Sequence, residues 1–217
     1  MSTYDRLVAE SGLSAAHEMV LRAVPDGARV LDVGCAGGHL AAALAARGCD
    51  VTGVELDARA ARERGLRVIE GSIDEAAVRA QLPRDLDAVL CADVLEHLPR
   101  PEETLAFLAT LLPPGGRAVV SLPNAGHWTM RRAVLRGRFP QEDFGLFDRT
   151  HLRWFTIAAA RSLVEDAGLR VIAERHTPAP LPLEAHIPLP AALRRAAVAR
   201  RPTLFALQVV LTGQRPG

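Results

Sequence analysis

The sequence contains no lysine; all 26 of its basic residues are arginine. Schiff-base chemistry and a P-loop lysine are thereby excluded. Cysteine is scarce. Cys35, Cys49 and Cys91 have neither metal-ligand spacing nor a disulfide framework. They read as small buried thiols in a reducing compartment. No apolar stretch reaches the length of a membrane span, and Asp5, Arg6 and Glu10 interrupt any signal-peptide core. A cytoplasmic location is expected. The net charge is only +1, so no broad field points to nucleic acid or a membrane surface. Nothing in the composition sets an oligomeric state.

What remains is a chain of 217 residues, 49% of them hydrophobic. That suits one α/β domain with a sizeable core, spanning residues 1–217. Residues 1–27 read as an amphipathic helix and loop, with Leu7, Val8, Leu13, Met19, Val20 and Val24 turned inward. An alternation of strands and helices follows. Strands are expected at Ala28–Val33, Val51–Glu55, Leu66–Glu70, Leu86–Cys91 and Arg117–Ser121. Helices are expected at Leu40–Arg47 and Pro101–Leu112, the latter with proline at its start. Strands separated by helical patterns imply a mostly parallel sheet with helices on both faces. After Ser121 the rhythm breaks. About 35 residues pass before the next expected helix, Ile157–Gly168. A strand at Arg170–Arg175, a proline-rich connection, a helix at Ala191–Arg200 and a last strand at Leu204–Thr212 complete the reading. The prolines of that connection, from Pro178 to Pro190, suggest a stiff surface crossing.

The segment VLDVGCAGGHL puts a glycine-rich turn between a strand and a helix. Glycine allows positive φ and close approach of a ligand, and a helix N-terminus presents unpaired amides. To this point any dinucleotide fold would fit. Asp32 separates the possibilities. A carboxylate just before Gly34 would face a pyrophosphate, and each such like-charge pair costs roughly 3 kcal/mol at about 5 Å and an effective dielectric near 20. A phosphate-free cation suits it better. The spacing agrees, because His39 stands where the third glycine of G-x-G-x-x-G belongs. Glu55 ends the second strand, 21 positions after Gly34. An acid there can accept hydrogen bonds from both ribose hydroxyls; a solvated strand-end charge is its plainer role. Ser72 and Ile73 follow the third strand, where a chain lining a purine would pass. Asp74 bonds the purine amine or caps the next helix.

In series, VLDVGCAGGHLA, VTGVELD and DLDAVLCADVLEHLPRPEETLAFLATLLPPGGRAVVSLPN resemble the motifs of the class I S-adenosylmethionine-dependent methyltransferases, from Val30 to about Asn124. The resemblance implies a Rossmann-like, seven-stranded, mostly parallel sheet with an antiparallel last strand. It implies S-adenosylmethionine as cofactor, with S-adenosylhomocysteine as product. Asp32, Gly34, Ala36, Gly38 and Glu55 would line the cofactor site, with Leu56, Ser72, Ile73, Cys91 and Asp93. The family usually has glycine at Ala36, so a methyl group there requires φ to stay negative. Glu96 and His97 follow the fourth strand, but no second cluster in the sequence completes a metal site, so no metal is expected.

Residues 124–156 hold six of the nine aromatics and six arginines. A segment this long, leaving the carboxyl end of a central strand, suits a lid over a small-molecule acceptor; a small helical subdomain with its own aromatic core is the alternative, and both are expected to hold in part. Its text resembles a branch associated with sugar and secondary-metabolite modification. A hydroxyl acceptor needs a base. His151 ranks first, because Asp148 stands three residues earlier and can orient it; His127 follows, and either could instead be structural. Arg131, Arg132 or Arg149 could hold an acidic group of the acceptor. The expected activity is methyl transfer to a small molecule, O-methylation of a sugar or natural product before C- or N-methylation. An NAD-dependent oxidoreductase and a non-catalytic cofactor-binding partner are the competing classes.

Overall fold

Short β-branched and aliphatic runs form the central strands, and their alternation decides which face each side chain covers. The protein is described from a computed structural model covering residues 12–182 and 190–217. Leu7, Val8 and Pro188 lie outside the described residues. Seven strands form one sheet: β1 Arg29–Val33, β2 Asp50–Glu55, β3 Arg67–Glu70, β4 Ala88–Ala92, β5 Arg117–Pro123, β6 Arg170–Pro178 and β7 Ala206–Gln214. Their order is β3-β2-β1-β4-β5-β7-β6. β1 to β5 are parallel, and β7 runs antiparallel to both its neighbours.

Leu31, Val33, Val89, Cys91, Val120 and Leu211 face one core, packed against Leu105, Leu108, Ala160 and Leu163. Val30, Ala88, Leu90, Val119 and Val210 face the other, packed against Val20, Leu40 and Leu44. The period of two thus assigns alternate residues to helices on opposite faces. Sequence signals fix the helix ends. Ser14 and His17 form a reciprocal capping box at the helix Ala15–Ala23. Pro101 opens the helix Pro101–Ala109, and the Thr156 hydroxyl accepts from the Ala159 N–H at the start of Ile157–Asp166.

The segment after β5 follows the small-subdomain alternative in part. A helix, Trp128–Leu135, forms within it. Met130, Leu146 and Phe147 build a small core of their own beneath it. Asn124 anchors its start: buried, its amide donates to the carbonyls of Thr203 and Ala206 and its Oδ1 accepts from the Gly126 N–H. The last strand begins at Ala206, because Pro202–Phe205 turn helically before it.

Candidate functional site

The strand order reverses between β1 and β4, and ligands in open α/β sheets bind outside the carboxyl ends at such a point. Asp32 lies there on β1, 1% exposed, with Oδ2 lacking any hydrogen-bond partner. Burial, then the charge of Glu55, raises its pKa to about 7. A cation placed beside this carboxylate would favour its charged form.

The turn after Asp32 is tightly determined. Gly34 has φ +68°, and a Cβ there would stand 2.5 Å from Val94 Cγ2. Gly38 has φ +77°, and its Cβ would stand 2.2 Å from Leu66 Cδ1. Ala36 departs from the condition set for it: its φ is +46°. Its N–H donates to Glu55 Oε2 at 2.7 Å, and that bond holds the left-handed conformation in place. Glu55 Oε1 accepts from the Leu56 N–H at 2.7 Å. The amides of Gly34 and Cys35 both donate to the Val54 carbonyl, and that of Gly38 to Cys35. The amides at 34, 35, 36 and 38 are therefore committed within the protein. A phosphate cradle needs them free.

Asp93, just past β4, is half-buried with φ +54°. Its carboxylate accepts from Ser121 Oγ at 2.8 Å and from Gln208 Nε2 at 2.9 Å. Ser121 lies on β5 and Gln208 on β7; sequence reasoning picks out neither, because the first contact needs β5 paired beside β4 and the second needs β7 inserted beside β5. His17, from the first described helix, is also brought here. It is buried, and burial lowers its pKa while Asp93 opposes that and His39 adds to it. Ile73 is buried and Leu56 is 71% exposed. Ser72 Oγ accepts from the Asp74 N–H. Asp74 caps no helix; Thr104 Oγ1 donates to it and Arg79 pairs with it. Cys91 is fully buried and its pKa is pushed up, by burial first and Asp32 next. Cys35 is pushed up to about 12 for the same reasons.

The two histidines of the insertion have separate fates. His127 is the N-cap of Trp128–Leu135: Nδ1 meets Thr129 Oγ1 at 2.7 Å, and burial lowers its pKa to about 4. His151 is not hydrogen-bonded to the Asp148 carboxylate, which accepts from Thr150 N and Oγ1 instead. Its Nε2 faces Glu96 Oε1 at 4.0 Å, and its ring meets that of His97 edge-on with centroids 4.8 Å apart. Burial and His97 lower its pKa, opposed by Asp148 and Asp93. The arginines are already partnered. Arg131 donates to the Gly126 carbonyl, Arg132 lies over Trp128, and Arg149 pairs with Asp143. An open groove of about 480 Å³ beside Trp128, Arg131, Arg132 and Leu204 lies along this helix.

The residues at the sheet's edge fit S-adenosylmethionine: three carboxylates, one of them buried and unpartnered, and a turn whose amides at 34, 35, 36 and 38 are already bonded within the protein. Comparison with known proteins decides the family. A methyltransferase-domain family model matches residues 6–174. The chain belongs to the class I S-adenosylmethionine-dependent methyltransferases. This methyltransferase is 33% identical to a ubiquinone biosynthesis O-methyltransferase of Burkholderia thailandensis over 158 residues, 66% of the chain and 68% of the relative. It is 38% identical to one from Dechloromonas aromatica over 122 residues, 52% of each. The match to the first three relatives spans 52 to 64% of their lengths. Among solved structures, a methyltransferase from Archaeoglobus fulgidus aligns with TM-score 0.68 at 18% identity, covering 99% of this chain and all of that one. A 1,6-didemethyltoxoflavin N1-methyltransferase of Burkholderia thailandensis aligns with TM-score 0.63 at 19% identity, covering 99% and 82%. At these identities the likeness is one of fold. Among the described residues of the methyltransferase, no helix is long and apolar enough to cross a membrane.

Proposed function

We propose that this methyltransferase transfers a methyl group to a hydroxyl of a small molecule, a sugar or natural product, and that residues 124–156 cover that acceptor. The observation carrying the reading is the buried, unpartnered Asp32 carboxylate beside Glu55 at the switch point. S-adenosylmethionine, when bound, supplies an electrophilic methyl on a positive sulfur. Asp32 and Asp93 would hold its cationic groups, Glu55 its ribose hydroxyls, and Leu56 and Ile73 its purine. The insertion supports the acceptor role: the Glu96 carbonyl accepts from the N–H groups of Leu152 and Arg153, and Arg153 also donates to the Pro99 carbonyl. These bonds strap the segment across the end of β4, where it would exclude water from the transfer. Relatives named as O-methyltransferases favour oxygen as the acceptor atom. Incubation with S-adenosylmethionine and a panel of hydroxylated small molecules, read by mass spectrometry, tests this. Methylation on oxygen is expected; methylation only on nitrogen or carbon would overturn it.

A further inference from the structure

The Glu96 side chain has no role in the reading above, yet it is as confined as that of Asp32. It sits on a single helical turn, Leu95–His97, directly after β4. It is 1% exposed, and neither carboxylate oxygen has a hydrogen-bond partner. Burying a carboxylate unpaired is strongly unfavourable. Asp93 and Asp148 make it worse, since both repel its charge. Backbone bonds keep the arrangement in place nonetheless: two N–H groups of the insertion clasp the Glu96 carbonyl.

What the clasp delivers is His151. Its Nε2 lies 4.0 Å from Glu96 Oε1. His97 is fixed by hydrogen bonds, with Nδ1 against Thr150 O at 3.2 Å and Thr150 Oγ1 at 3.1 Å. Such bonds to one ring nitrogen orient the other toward a ligand. One ligand atom from each of Glu96, His97 and His151 lies within 4.8 Å of the others. Ligands of a tetrahedral ion at about 2.1 Å stand roughly 3.4 Å apart, so modest inward movement of three side chains closes the shell.

We propose that Glu96, His97 and His151 hold a divalent transition-metal ion at the carboxyl end of β4, its open coordination positions facing the acceptor oxygen. Two imidazoles and one carboxylate favour zinc- or manganese-like ions over calcium. The ion would neutralise Glu96 and give three preset groups a common partner. An acceptor hydroxyl bound to it would lose its proton to water near neutral pH. The oxygen lone pair would then form the O–CH3 bond as the CH3–S bond breaks, the sulfur keeping that electron pair as a neutral thioether. No protein base is required. The acceptor half of this proposal rests on the O-methylation reading; the ion half stands without it.

Cobalt(II) titration of the full chain, followed by visible absorption, tests the ion site. Wild type should saturate near one ion per chain. Glu96→Gln, His151→Ala and His97→Ala should each weaken binding at least tenfold. His97 is only partly buried, so its variant is expected to fold even if the other two do not; thermal melts verify folding. No saturable absorption in wild type, or unchanged affinity in folded His97→Ala, would overturn the proposal. Calorimetry with S-adenosylhomocysteine on the same samples reports the cofactor reading separately, because those three residues are not assigned to it.

Discussion

Replacing Asp32 by asparagine should stabilise the cofactor-free protein while abolishing tight cofactor binding. The native pKa of about 7 against 3.8 for the free side chain amounts to about three units, or ~4 kcal/mol when the group is ionised. The sign follows from proton counting. Between about pH 4 and pH 7 the native state holds a proton on Asp32 that the unfolded chain has released. Unfolding free energy therefore falls as pH rises through that window, then levels off. The substituted amide has no proton to lose. The variant's advantage over wild type should grow from pH 5 to pH 8 by up to ~3 kcal/mol, roughly 5–10 °C in Tm for a chain of this size, the rest of the effect lying below pH 5. An unpaired amide would subtract a constant of about 1–3 kcal/mol at every pH, so the change with pH is the quantity to read. Melts of both proteins at pH 5, 6, 7 and 8 without cofactor measure it. A pH-independent difference would refute the assignment of Asp32 as a strained, uncompensated acid. In the same variant, loss of one charge contact worth about 2–3 kcal/mol should weaken S-adenosylmethionine roughly 30- to 150-fold.

Ala36→Gly should raise stability by about 1 kcal/mol, read by denaturant unfolding, because glycine adopts φ +46° without the steric cost alanine bears. Glu55→Ala should weaken S-adenosylhomocysteine at least tenfold by calorimetry, since it removes the acceptor for two turn amides as well as for ribose. His127→Ala should cost about 1 kcal/mol through the lost cap while leaving most turnover at pH 7. His127 also predicts acid lability. Its native pKa of about 4 lies below the ordinary 6.5, so the unfolded chain gains the proton first and stability falls as pH drops from 6.5 toward 4. Melts of wild type and His127→Ala across that range should show the variant with the shallower decline. Gln208→Ala should lower cofactor affinity several-fold by releasing Asp93.

Much of the fold was legible because it rests on local signals. Alternating apolar runs, Pro101 at a helix start and the glycine turn each act within a few residues, and their placements lie within two or three residues of the observed ends. The first two carboxylates were legible for the same reason: strand ends followed by turns place Asp32 and Glu55. The remainder depends on contacts distant in sequence. Trp128–Leu135 carries little helical signal because its apolar side, Met130, is narrow and its partners Leu146 and Phe147 lie further on. The left-handed Ala36 is imposed by Glu55, nineteen residues away. Asp148 stands near His151 in sequence, yet the helical turn at β4 brings Glu96 and His97 to it instead. Gln208 reaches Asp93 from near the far end of the chain, a meeting no spacing announces.

A pocket suited to a positively charged nucleoside without phosphates lies at the centre of this methyltransferase's chemistry. Calorimetric titration of the wild-type chain with S-adenosylmethionine and with NAD, at pH 6 and pH 8, tests that most directly. S-adenosylmethionine should bind one per chain, several-fold tighter at pH 8 as Asp32 ionises, and NAD should give no measurable heat. Tight NAD binding, or S-adenosylmethionine affinity that is absent or unchanged between the two pH values, would contradict it.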